Sequence, residues 1–317
     1  WVKVSSSPIG KYRDTNRYPS RGWNAYHVVY QDAQRWLKEG IHDALFPMMY
    51  FQGNNFYPFA LDWKENDGKR WIIPGLGIYF LSPREQDWPL DEIVRQIHFT
   101  RQIKLNGQAY FRNRFLLDNT KGVLDELEEN FYTYPALIPP MTWSDSIPPS
   151  VPSHPSVQQI ANGKLRMSWQ ASADNSNQSV VYHLYGSDTY PVDIKQPQNL
   201  IATHLIANEY EYTARLPWLQ KRYFAVTAAD RFGNESAPLT LNTVSDMDIP
   251  LLNKGNILYL PEIKDAQTII IYNMTNEEIW KTGYIHKLSL VSLPNGFYTV
   301  KIFNRQGKSL FAGSIMK

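Results

Sequence analysis

Residues 71–80 read Trp71-Ile72-Ile73-Pro74-Gly75-Leu76-Gly77-Ile78-Tyr79-Phe80. A short apolar run of this kind between polar stretches reads as a buried β-strand. Three similar runs surround it, at residues 2–5, 44–50 and 108–111. The segments between them carry helical periodicity. Residues 27–39 place Val29, Ala33, Trp36 and Leu37 on one face, with Gly40 as the expected stop. Residues 91–104 do the same with Ile93, Val94, Ile97 and Ile103, after Pro89 and before Asn106-Gly107. A last helix is expected over 119–130, with Val123, Leu124 and Leu127 inward and Asp125, Glu126, Glu128 and Glu129 as a solvated face. Alternating strands and helices predict parallel βα units. An eight-unit barrel spends roughly 31 residues per unit, so residues 1–143 hold four to five units. The fold class expected is therefore α/β plus all-β: the C-terminal half of a (β/α)8 TIM barrel, followed by two β-sandwich modules. Half a barrel exposes two strand edges, so the missing N-terminal half is an expected partner.

Downstream the pattern changes. Residues 145–155 are a Pro/Ser-rich hinge. After it, residues 164–169, 180–185, 209–214 and 222–228 alternate, with Asp174, Asn175, Asp230, Gly233 and Asn234 at the turns. About seven short strands in such a length predict a β-sandwich. A second boundary is expected near 246–255. Five more strand candidates follow at 257–260, 268–272, 287–290, 297–303 and 310–315. The expected domains are 1–145, 146–247 and 248–317, the last small enough to lean on the middle one.

Composition narrows the function. The chain has 317 residues, 32 basic against 30 acidic, for a net charge of +2, which leaves no electrostatic footprint for nucleic acid or an anionic membrane. Neutral partners fit better, and no apolar run is long enough for membrane insertion. Aromatic residues make up 14%, with 10 Trp and 20 Tyr, which suits either sugar-stacking surfaces or β-rich cores. There is no Cys, so disulfides and thiolate catalysis are excluded.

The first segment resembles the bacterial glycosyl-hydrolase-like family related to family 10 glycosidases. The likeness is carried by Val2-Lys3-Val4-Ser5 leading into Ser7-Pro8-Ile9-Gly10, and by Asp32 through Trp36-Leu37-Lys38-Glu39-Gly40, then Asp43, Pro47 and Tyr50. Gly75-Leu76-Gly77-Ile78-Tyr79 and the closing Ala136-Leu137-Ile138-Pro139-Pro140 before Trp143 complete it. The resemblance implies a secreted, periplasmic or cell-surface barrel, with key acidic residues at a strand end upstream of this chain. Met48-Met49-Tyr50-Phe51 stands where the family has Gln-Ile-Tyr-Trp, and Ala109-Tyr110-Phe111-Arg112 where its last strand ends in Phe-Phe-Ser. Residues 147–245 look like a fibronectin type III domain, through Leu165-Arg166-Met167-Ser168-Trp169, Tyr182-His183-Leu184-Tyr185 and Tyr223-Phe224-Ala225-Val226. Residues 257–317 are similar to C-terminal modules of secreted Bacteroidetes proteins, through Ser292-Leu293-Pro294-Asn295-Gly296-Phe297-Tyr298 and the final Met316-Lys317.

Glycoside hydrolysis needs two carboxylates across the scissile bond, and in a barrel both sit at C-terminal strand ends. The strand ends here offer Ser5–Ser7, Tyr50–Asn55, Tyr79–Ser82 and Arg112–Arg114, none of them acidic. Asp43 lies at the start of its strand, and Asp62, Glu85 and Asp87 lie in loops that nothing positions. The catalytic residues are thus unknown from this chain. The candidate substrate-binding residues are Tyr50, Gln52, Asn54, Tyr79 and Arg112, with Asn55, Tyr57 and Arg114 nearby; rings and amides are the mixture that holds sugar hydroxyls. Each reads equally as ordinary loop polarity. No His-x-x-x-His, Gly-x-Ser-x-Gly or phosphate-binding loop occurs, so no metal and no cofactor is expected. The leading expectation is a glycoside hydrolase acting on a polysaccharide or peptidoglycan-type glycan. The alternatives are a glycan-binding barrel without turnover, and an adhesion or stalk protein acting through its sandwiches.

Overall fold

The computed structural model describes every residue except 1, 162–163, 215–220, 222, 242–251, 255, 261–262 and 264. Most of the second expected boundary, 246–255, lies outside the described residues. The chain forms two compact units: Trp1–Thr133 with Met141–Ser144, and Tyr134–Pro140 with Asp145–Lys317.

The first unit is built on parallel strands laid side by side in chain order. β1 (Ser5–Ser6) pairs with β2 (Ala44–Leu45), and β2 with β3 (Trp71–Ile72). β4 (Gly75–Leu76) pairs with β5 (Ala109–Tyr110), and the bridges Ile9–Met48 and Met48–Gly75 extend the same parallel order. The runs at 44–50 and 71–80 yield shorter strands than their lengths suggest, and proline is the reason. Pro8, Pro47 and Pro74 carry no N–H, so the ladder is interrupted at each. Their carbonyls still work: Pro8 O accepts from Met48 N at 2.9 Å, Pro47 O from Gly75 N at 2.8 Å, and Pro74 O from Ala109 N at 2.9 Å. Past β4 the chain does not remain extended to Phe80 but coils into a 3₁₀ turn over Ile78–Leu81.

Helices α1 (Ala25–Val28) and α2 (Ala33–Lys38) replace the single helix expected over 27–39. The break falls at Tyr30, whose φ of +55° no α-helix accommodates. It frees Gln31 to turn inward, where its Oε1 accepts from Ile9 N at 3.1 Å. Gly40, at φ +74°, ends α2 as its position predicts. Helix α3 (Tyr57–Glu65), with Pro58 in its first turn, stands where a loop was expected, so Asp62 is a helix residue. Helix α4 (Leu90–Gln102) buries Ile93 and Ile97 as their spacing predicts. Beyond β5, α5 (Asn113–Leu117) precedes the helix expected over 119–130, which is itself divided among a 3₁₀ turn over Thr120–Gly122, α6 (Val123–Glu126) and a π turn over Leu127–Phe131. One continuous core runs under these elements, with Phe56, Phe59 and Trp63 of the α3 region fully buried beside Leu45, Met49, Ile72 and Leu76.

The second unit contains two antiparallel sandwiches. In the first, β6 (Ser153–Ala161), β7 (Lys164–Gln170) and β10 (Glu209–Thr213) form a sheet of order β10-β7-β6. Its partner is the sheet β12-β11-β8-β9, from β8 (Val181–Ser187), β9 (Leu200–Leu205), β11 (Tyr223–Ala229) and β12 (Leu239–Leu241). Three strands over four in this order is a fibronectin type III-like sandwich. The core between the sheets holds Leu165, Met167 and Trp169 from one side and Leu184, Phe224 and Val226 from the other. On the outer face of the second sheet, Tyr185 packs with Val192, Leu200 and Ala225, and Leu137 lies against them.

The last sandwich pairs the sheet β13-β14-β17 with β16-β15-β18-β19. The strands of the smaller sheet are β13 (Leu252–Lys254), β14 (Ile257–Tyr259) and β17 (Lys287–Ser289). Those of the larger are β15 (Thr268–Tyr272), β16 (Glu278–Gly283), β18 (Phe297–Phe303) and β19 (Ser309–Met316). Leu258 and Leu288 face Ile269, Ile271, Val300 and Ile302 across its core. Two of its hairpins are closed by the same device. Asn273 Oδ1 accepts from the N–H of Thr275 and of Glu277, and Asn304 Oδ1 from that of Gln306 and of Lys308. The fourth residue of each turn, Asn276 at φ +61° and Gly307 at φ +74°, is left-handed. Among the described residues no helix is long and apolar enough to cross a membrane.

Candidate functional site

The strand ends of the first unit open into a cleft of about 730 Å³, within the usual size range of small-molecule sites. Its floor is made by backbone in close approach. A Cβ on Gly10 would fall on the Met48 carbonyl oxygen, and one on Gly77 would lie 3.1 Å from Tyr50 Cβ. Glycine at these two places lets the strand ends come together beneath the rings. Trp63, fully buried in α3, donates from Nε1 to Gly10 O at 2.7 Å and pins the floor to the core.

Aromatic side chains form the walls. Tyr50 stacks on Phe111 with centroids 5.2 Å apart and meets Tyr79 edge-on at 5.7 Å, while Tyr79 meets Phe111 edge-on at 5.6 Å. Phe80 lies 4.7 Å from Trp88, and the exposed indole of Trp23 lines the same space. Burial pushes the Tyr50 and Tyr79 hydroxyls up from their ordinary values, so both stay protonated near neutrality and can donate or accept. The polar lining consists of Gln52, Asn55 and Gln86, three carboxamides. No Asp, Glu, Lys or Arg is among the lining residues.

Of the five candidate residues, Tyr50, Gln52 and Tyr79 line this cleft. Asn54 does not, and its place is taken by Asn55, because the 3₁₀ turn at Gly53–Asn55 carries consecutive side chains in different directions. Arg112, whose guanidinium lies 5.5 Å from the Phe115 ring centroid, is exposed and is not part of the lining, although its charge acts on Tyr79. Trp23, Gln86 and Trp88 come from irregular segments whose path no periodicity reveals.

Three of the acidic residues, Asp43, Asp62 and Asp87, are engaged elsewhere, while the charge of Glu85 acts on Tyr79. Asp43 takes Val4 N at 2.8 Å and Trp143 Nε1 at 3.0 Å, a structural clamp. Asp62 accepts from Gln34 at 2.9 Å, and burial raises its carboxyl above the usual range. Asp87 pairs with Lys121 at 2.6 Å. Behind the cleft, buried Glu92 accepts from Gln96, which also donates to the Phe51 carbonyl at 2.9 Å and so fixes the wall. Among the described residues no group of three or more His, Asp or Glu is placed to hold a metal ion.

The trough is thus lined by rings, which offer apolar faces for stacking, and by carboxamides, which can donate and accept hydrogen bonds. No protein-family model matches the chain. Over 252 residues it is 29% identical to Glycosyl hydrolase YngK of Bacillus subtilis (strain 168), covering 74% of this chain and 49% of that protein. The chain thus spans about half the length of the curated relative it matches. Among solved structures, the FN1-FN3 domains of chicken CNTN1 overlay 54% of this chain and 67% of theirs, with 13% identity and a TM-score of 0.21. A two-domain fibronectin type III segment of chicken tenascin overlays 53% of this chain and 100% of its own, with 13% identity and a TM-score of 0.20. Overlays at such scores carry no argument, and the sandwich assignment rests on the strand order itself.

Proposed function

We propose that the first unit belongs to a glycoside hydrolase, in which it forms the uncharged wall of the glycan-binding cleft. The single observation that carries this reading is the cleft itself, ring-lined, edged by three carboxamides and free of charged side chains, at the ends of parallel strands. Similarity to a relative named as a glycosyl hydrolase supports it. In this reading the parallel βα order continues into a (β/α)8 barrel, and the paired carboxylates that protonate the leaving oxygen and attack or activate water lie in the part of the relative's length that this chain does not match. The protein then works outside the cytoplasm on a polysaccharide, with the two sandwiches as spacers or anchors.

Titrating the full chain with a panel of oligosaccharides while following Trp emission tests the proposal, because Trp23 and Trp88 line the cleft. Binding that perturbs emission and weakens about tenfold in Tyr50→Ala is expected. No perturbation by any member of the panel at millimolar concentration would remove the glycan reading. The absence of carboxylates from the lining also favours a second reading, glycan binding without turnover. Release of reducing ends by the natural full-length protein supports the hydrolase; binding with no release supports the second reading.

A further inference from the structure

Lys11 is buried, only 5% exposed, next to a cleft whose lining contains no charge. A cation removed from water must be held by acceptors or by rings. Here it has both: Nζ donates to Asn55 Oδ1 at 2.7 Å and lies 4.8 Å from the Phe51 ring centroid and 5.0 Å from that of Phe59. Its own backbone is fixed as well, the carbonyl accepting from Ala25 N at 2.8 Å. Burial lowers the Lys11 pKa, an effect opposed by Asp14.

The chemistry of the pair settles which way the Asn55 amide faces. An ammonium has three donors and no acceptor, so the carboxamide atom against it must be oxygen. The Asn55 NH₂ group is thereby turned away from Lys11, and Asn55 lines the cleft. Gln86 is set in the same manner, because the indole N–H of Trp88, a donor only, occupies Gln86 Oε1 at 2.9 Å. Two of the three carboxamides of the cleft therefore have their oxygen already engaged by the protein.

We propose that Lys11 is a positioning residue of the cleft: it orients the Asn55 carboxamide so that the NH₂ group donates to an acceptor oxygen of the bound sugar. The inference rests on the glycan reading for its ligand, but the orientation of Asn55 is a property of the free protein. An unoriented amide would have to give up rotation on binding, and would offer oxygen as readily as nitrogen to the ligand. Lys11 removes that ambiguity before the ligand arrives.

Two measurements on the full chain test it. In the ligand-free protein, the Asn55 side-chain NH₂ resonances should shift in Lys11→Met, which keeps the stem packed against the rings and deletes the donor; Lys11→Arg should restore them toward the wild-type position. Unchanged Asn55 resonances in Lys11→Met overturn the proposal, whether or not any glycan binds. The second measurement is a double-mutant cycle on the oligosaccharide found to bind best. Asn55→Ala and Asn55→Asp should each weaken binding about tenfold, since both delete the NH₂ donor while Asp retains an oxygen for Lys11. Lys11→Met should cost several-fold alone and nothing further on top of Asn55→Ala. Fully additive losses would show that Lys11 acts independently of Asn55 and overturn the proposal. Loss of all binding in wild type would instead remove the glycan reading, leaving the resonance test to decide the orientation.

Discussion

The two units hold their strands by opposite means. Among the described residues of the first unit no strand exceeds two residues, and prolines cut the ladder at Pro8, Pro47 and Pro74. In the second, β11 pairs with β8 over seven positions, Tyr223–Ser187 through Ala229–Val181, and β18 pairs with β19 from Phe297–Met316 onward. The sandwiches are therefore secured by long registers between sheets that bury one another. The parallel unit depends on its helices, above all the aromatic face of α3, to keep short strands together. The cleft is found where backbone pairing is weakest. Loops that leave short strands early are free to carry rings and amides, whereas a long antiparallel ladder fixes every side chain to one face or the other.

That contrast is broken first by removing a helix anchor. Trp63→Ala deletes a fully buried indole and its bond to Gly10, and should cost about 3–5 kcal/mol. Amide hydrogen exchange should show protection collapsing around β2 and β3 while β8 and β11 stay protected; loss in both units would refute the distinction. The mirror experiment is Leu184→Ala, in the sandwich core, expected to cost about 2–5 kcal/mol and to leave α3 protected. Smaller is Tyr50→Ala, which removes the ring shared between Phe111 and Tyr79. It should weaken oligosaccharide binding about tenfold, roughly 1.4 kcal/mol, without altering exchange in the sandwiches. Gly307→Ala, at φ +74°, should cost about 1 kcal/mol, read as a small drop in the denaturation midpoint of the last sandwich.

The smallest effect is a pH dependence confined to the fibronectin-like sandwich. His183 is buried in β8, and burial lowers its pKa, with His204 acting in the same direction and the charge of Glu235 opposing. His204 N donates to its Nδ1 at 3.3 Å, which requires the neutral ring. A folded-state pKa below the unfolded one means that the unfolded chain takes up protons first. Stability should thus be full near pH 7 and above, fall as pH drops through the usual histidine range, and level off below the depressed value. His183→Gln should flatten the slope, and a slope unchanged in that variant would assign it elsewhere.

The same contrast governs what can be read from the residues alone. The sandwich strands were legible because alternation is imposed by burial: in β7, Leu165, Met167 and Trp169 point inward, with Arg166 on the exposed face between two of them. Helix α4 was legible because Ile93 and Ile97 repeat at helical spacing. Helix α3 was not, although Phe59, Ala60 and Trp63 carry the period, because Tyr57-Pro58 and the polar residues before it read as loop. The division of α1 from α2 turns on one backbone angle, at Tyr30, that has no compositional signal. For the cleft, Tyr50, Gln52 and Tyr79 could be named because they follow strand ends closely in sequence. The choice between Asn54 and Asn55 is made by a single 3₁₀ turn, and Trp23 and Trp88 are brought in by segments that obey no period.

Gly10 has a consequence for how this protein can vary over time. The rings and amides of the walls are open to exchange one at a time, since each is one side chain among several that line the same cleft. At Gly10 any substituent meets the Met48 carbonyl, and moving Met48 moves Tyr50 two residues on. Descendants of this chain are free to change what they grip, but every one of them inherits the same depth of grasp.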